Sequence, residues 1–253
     1  MNWRTIVLWL VLVAAFISFY QYFAVRDPGA PPPAFGWLPV LMVVFFFLFF
    51  AVLVLRQRSA NRALVEGGSL LSAGRPSEAL AKYELARRLM PRAPIVRHNL
   101  ALANLYLWRV DNAVALLEGA SSASRWGGQD TRALSLPVLA LAQALLGKAE
   151  QTAQTLQRLD DRAQSTHFAL LAQCILACRA GDWAKAEELL QRREVYQFGG
   201  FFRALSEVLA SWAAQSLRGE KLRFNRVALY NEAGPDPVRK VWPQLADFAE
   251  KAV

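Results

Sequence analysis

The first 55 residues carry three charged side chains, Arg4, Arg26 and Asp27, and a stretch so apolar has few ways to exist in water. The 21 positions between Arg4 and Arg26 are uncharged, and a second uncharged run goes from Pro28 to Leu55. At about 1.5 Å of rise per residue, a helix over either run is long enough to cross roughly 30 Å of hydrocarbon. The first run is too long for a cleaved leader, and a cut after Ala24 would put bulky Tyr22 where a small residue is wanted. Trp3, Tyr20, Tyr22 and Trp37 stand near the expected interfaces. The connector R-D-P-G-A-P-P-P is short and stiffened by proline. The expectation is therefore a transmembrane hairpin over residues 1–58, with spans at about 5–25 and 35–55.

Charge placement orients the hairpin. The chain carries +9 overall, yet positions 56–109 hold ten basic and three acidic residues, whereas 110–253 hold seventeen and sixteen. The excess thus follows the second span. Arg56, Arg58 and Arg62 are the expected topology determinants and contacts for anionic lipid. The positive-inside rule then predicts a multi-pass protein of a bacterial inner membrane with both termini in the cytoplasm. No nucleic-acid-binding motif accompanies the basic region, so nucleic acid is not an expected partner. The two cysteines, Cys174 and Cys178, form no disulfide framework, which agrees with a reducing compartment.

Beyond the spans, residues 61–92 set Gly67, Gly74, Ala79, Tyr83, Ala86 and Pro91 at helix-turn-helix spacing. This set resembles the tetratricopeptide repeat (TPR), a unit of about 34 residues. The resemblance implies that Gly67 and Ala79 mark a close helix crossing filled by Tyr83. It implies too that Gly74 makes a left-handed turn and Pro91 ends the second helix. A second copy runs through Leu100, Ala101, Trp108, Ala113, Leu117 and Ala120, and a third through Leu139, Ala140 and Gly147. The third has Thr152 where Ala is expected, and tolerates Pro137 if Ser135 caps its first helix. A fourth uses Cys174, Gly181, Ala186 and Leu190.

From Gly199 onward the pattern decays. Phe201, Leu205, Val208, Leu209 and Trp212 form a helical stripe, and 220–231 suggest a short basic helix. A last helix is expected from an Asp236 cap with Pro237 in its first turn, kinked or divided at Pro243. The expected fold class is all-α: the transmembrane hairpin, then an α-solenoid of about four to five TPR-like repeats over 59–253 with C-terminal capping helices.

Chemistry-bearing motifs are missing. His98 and His167 are the only histidines, and no P-loop, G-x-S-x-G, dinucleotide fingerprint or H-E-x-x-H occurs. On one helix His167 and Cys178 would stand roughly 16 Å apart, too far to share an ion with Cys174. Asp160–Asp161 and Glu187–Glu188 are sequence neighbours that point about 100° apart on a helix. No catalytic, cofactor-binding or metal-binding residue is assigned, and the chain is not expected to be an enzyme. The resemblance implies protein binding instead, in a concave groove lined by the first helix of each repeat. The candidate partner-binding residues are His98, Asn99, Leu102, Tyr106, Phe168, Leu171, Ile175 and Arg179. The expected function is a membrane-anchored scaffold or adaptor for a protein or peptide partner at the cytoplasmic face. The alternative is a non-catalytic subunit or regulator of a membrane enzyme or envelope-assembly complex, held through the hairpin. Either an open groove or one filled by the chain's own end, Val238 to Ala252, is compatible with these residues.

Overall fold

Proline, glycine and short capping side chains punctuate the chain into helices, as a computed structural model shows. It describes Ala14, Ile17, Ser18, Gln21, residues 38–122 and residues 130–251. Among the described residues there are thirteen α-helices and no strand. Contacts divide the chain into two units, Met1–Arg58 and Ser59–Val253.

The first unit contains most of the apolar part of α1 (Leu38–Ser72). The run V-F-F-F-L-F-F has no breaker after Pro39 and stacks its rings at i,i+4, with Phe45 6.4 Å from Phe49 and Phe46 6.3 Å from Phe50. Phe45 is 71% exposed and Phe47 65%, and among the described residues nothing buries the helix's apolar window. Among the described residues, α1 is the one helix long and apolar enough to cross a membrane. The two-span hairpin is corrected to a single candidate span. The first apolar run lies outside the described residues except for Ala14, Ile17, Ser18 and Gln21. With the second span goes the multi-pass topology with both ends in the cytoplasm of a bacterial inner membrane.

In the second unit the end of α1 becomes amphipathic, burying Ala60, Ala63, Gly67 and Leu71 at three- and four-residue steps. Gly74, at φ +73°, turns the chain, and Pro76 opens α2 (Pro76–Leu89) at a position where its missing N–H costs nothing. Gly67 lets the helices meet: a Cβ there would stand 2.8 Å from Cδ1 and Cζ of Tyr83. Next come α3 (Pro94–Tyr106), α4 (Val110–Ser121), α5 (Thr131–Leu145) and α6 (Ala149–Gln157). One turn of helix, α7 (Asp161–Gln164), leads to α8 (His167–Ala180) and α9 (Trp183–Leu190). A 3₁₀ turn at Arg193–Tyr196 precedes the long α10 (Gly200–Arg218). The chain ends in α11 (Arg226–Tyr230), α12 (Pro235–Val241) and α13 (Pro243–Lys251). Consecutive helices from α2 to α6 pack on one another, and α5 also packs on α8.

Three local expectations are corrected. The cap of α5 is Asp130, whose carboxylate accepts from the N–H groups of Arg132 and Ala133, so Pro137 lies inside the helix rather than in its first turn. Helix α12 starts at Pro235 after Gly234, not after Asp236, and only 226–230 of the expected basic helix is α-helical. Pro243 does divide the last segment, leaving Trp242 between α12 and α13.

The larger correction concerns the solenoid. In an open stack each unit touches only its neighbours. Here the C-terminal segment returns to the beginning of the unit. The indole Nε1 of Trp108 donates to the carbonyl of Leu229 at 2.9 Å, and Glu232 accepts from the N–H of Ser77 at 3.0 Å. Arg179 donates through Nη2 to the carbonyl of Leu145, and to that of Val241 at 3.2 Å. The helices also differ widely in length, from 4 residues in α7 to 19 in α10. The unit is an all-α fold closed upon itself, and the TPR-like α-solenoid does not describe it.

Candidate functional site

The face expected to take a partner is built from α3 and α8. Side chains three and four apart on each helix share a face, so Asn99, Leu102 and Tyr106 align on α3, and Phe168, Leu171, Ile175 and Arg179 on α8. The structure brings these helices to a common wall and then fills it with α10. Phe201 lies tilted 5.2 Å from Tyr106 and meets Trp108 edge-on at 5.4 Å. Phe202 meets Tyr106 at 5.3 Å and Phe168 at 5.0 Å. Filling therefore comes from the start of α10 at Tyr106 and Phe168, and from Val241 and Trp242 of the chain's own end at Arg179.

Burial sorts the eight candidates. Leu171 and Ile175 are wholly internal, and His98 is nearly so. Asn99, Leu102, Tyr106, Phe168 and Arg179 remain half-exposed. His98 shares a hydrogen bond through Nδ1 with the hydroxyl of Ser135 at 3.1 Å, which is what Ser135 does in place of capping a helix. Burial pushes the His98 imidazole down to about 4. His167 is buried among Phe168, Phe198 and Phe202, with Nδ1 3.1 Å from the Glu194 carbonyl and Nε2 buried without a partner among the described residues. Burial lowers its pKa, and hydrogen bonding to backbone opposes this in part.

A neutral buried histidine must bind a proton on unfolding at acid pH. The unfolded group titrates near 6.5 and the folded one near 4. The stabilisation is thus fully present above about 6.5 and is lost as pH falls toward 4, on the order of 3 kcal/mol for His98. His98→Asn, which keeps a polar atom facing Ser135, should flatten that fall. Urea unfolding at pH 7 and pH 4.5 measures it, and equal pH dependence in the two chains would contradict it. His167 acts in the same direction, so the variant's fall should shrink rather than vanish.

Cys174 and Cys178 are both buried, and their thiols are held protonated by loss of solvation; Cys178 is pushed up to about 12. Among the described residues no three His, Cys, Asp or Glu side chains are placed to hold a metal ion. Arg56, Arg58 and Arg62 are exposed on α1 just past its apolar run, and Arg62 pairs with Glu66 at 2.8 Å. Sequence reasoning passed over Phe198 and Phe202. The segment F-G-G-F-F shows its aromatic density in the sequence, but nothing local says which helices it will meet.

Compared with known proteins, no family model and no curated relative matches this chain. The TPR identification is corrected accordingly. With the closed fold, the plugged groove and the single candidate span, the two-span TPR scaffold at the cytoplasmic face is also withdrawn, and with it the alternative of a subunit held through a hairpin.

Proposed function

We propose that the chain is a helical binding module tethered to a bilayer by α1, working on a protein partner without catalysis of its own. The observation that carries the tether is the uncovered apolar length of α1. From Leu38 to Leu55 the helix rises roughly 26 Å, close to the thickness of bilayer hydrocarbon. Nine of its large apolar side chains from Leu41 to Leu55 are exposed. So large an apolar surface has no stable place in water. Arg56, Arg58 and Arg62 follow within two turns, where their charge meets anionic headgroups. Half-exposed Tyr106 and Phe168, with exposed Phe198, support a protein partner, because surface aromatics supply rigid apolar contact area.

A charge at the centre of a span decides the tether. Leu48→Arg should cost about 2.5–3.5 kcal/mol of insertion. In alkaline carbonate extraction of membranes, the native chain should stay in the pellet and the variant should shift toward the supernatant. Complete extraction of the native chain would overturn the tether.

A further inference from the structure

Three separated pieces of sequence meet beside the C-terminal end of α8. They enclose a cavity of about 350 Å³ lined among others by Cys178, Arg179, Trp183, Trp212, Trp242 and Gln244. That volume is within the range of small-ligand sites, roughly 300–1,000 Å³. The walls are indole rings: Trp183 lies 5.1 Å from Trp212, which lies 5.7 Å from Trp242. The guanidinium of Arg179 sits 4.3 Å over the Trp242 ring.

The polar groups of this cavity are mostly donors. Arg179 spends Nη2 on the carbonyls of Leu145 and Val241, while its Nε is buried without an acceptor. Among the described residues no carboxylate pairs with Arg179, and none lines the cavity. Cys178 is a buried neutral thiol. One cation without a carboxylate partner and flat apolar walls define the complementary molecule: it carries an anion and a flat or compact apolar body. A guanidinium matches a carboxylate in charge, and indole faces match an aromatic body.

We propose that this cavity is a binding site for a carboxylate carried on a compact aromatic or apolar group. Such a group could be a free organic acid or the terminal carboxylate of a polypeptide ending in an aromatic residue. The proposal stands on the cavity alone and does not depend on the bilayer tether.

Isothermal titration calorimetry on the full chain in detergent tests it, with benzoate against its neutral isostere benzamide. Benzoate should bind, and benzamide at least tenfold more weakly. Arg179→Gln and Trp183→Leu should each lower benzoate affinity at least tenfold. Arg179 joins three elements, so its variant risks misfolding; Trp183 is half-exposed at the first residue of α9, and Trp183→Leu keeps the test decisive. Equal affinity for acid and amide, no heat from either, or unchanged benzoate affinity in Trp183→Leu would each overturn the site. Acetyl-Gly-Gly-Phe and its C-terminal amide then separate the sources. Tighter binding of the peptide acid than of benzoate assigns a polypeptide end, and weaker binding assigns a free acid; both uphold the carboxylate chemistry.

Discussion

Trp108→Ala should destabilise the helical unit by about 3–5 kcal/mol, the range for deleting a large buried aromatic. Trp108 is 2% exposed, packs edge-on against Phe201, and donates its indole N–H to the buried carbonyl of Leu229. The substitution opens a cavity where α3, α10 and α11 meet and strips a carbonyl of its donor. The backbone modifies the result in a checkable way. Trp108 holds φ at 54°, a left-handed conformation that costs a residue with a Cβ about 1–2 kcal/mol. Trp108→Gly should therefore be less damaging than Trp108→Ala by about 1 kcal/mol, although it removes one atom more. Trp108→Phe keeps most of the volume and isolates the hydrogen bond, at about 1–3 kcal/mol. Urea unfolding followed by far-UV circular dichroism gives all three. If Ala and wild type unfold within 1 kcal/mol of each other, the return of the C-terminal segment is not secured at Trp108.

Tyr83→Ala should cost a similar 3–5 kcal/mol, and its dependence on Gly67 is the sharper test. Tyr83 is 1% exposed and its ring occupies the space a Cβ on Gly67 would need. Gly67→Ala alone meets two opposed terms. Overpacking costs about 1–3 kcal/mol, and better helix propensity returns about 1 kcal/mol. With the ring gone the overpacking vanishes and only the propensity gain remains. The double variant should thus be more stable than the sum of the single changes predicts, by about 1–3 kcal/mol. Additive effects would mean that the ring does not close on Gly67.

Several features could be read directly from residues because they are local. The apolar run ending at Leu55 specifies a long uncovered helix. Gly74 and Gly181, at φ +73° and +74°, mark left-handed turns, and Pro243 separates α12 from α13. In each case the determining atoms lie within a turn or so of the residue. The resemblance to a repeat family misled for a related reason. Small residues such as Gly67 and Ala79 report a close crossing of two helices, and every tightly packed helix pair needs one. They carry no information on whether successive pairs continue as an open stack or close up.

The candidate site shows the same division. Half-exposed Asn99, Leu102, Tyr106, Phe168 and Arg179 share helical faces that spacing predicts, yet spacing could not show that Leu171 and Ile175 are wholly buried or that Phe202 of α10 packs on Phe168. Asp130 displaced Ser135 as a cap by accepting from the backbone N–H groups of Arg132 and Ala133. Helix content, turn positions and one membrane-length helix were determined by the sequence alone, since they depend on side chains a few positions apart. The Trp108–Leu229 bond, the Phe201 and Phe202 plug and the tryptophan-walled cavity around Arg179 were decided only in three dimensions. Each joins residues far apart in the chain, and their meeting depends on the summed lengths and crossing angles of every helix between them.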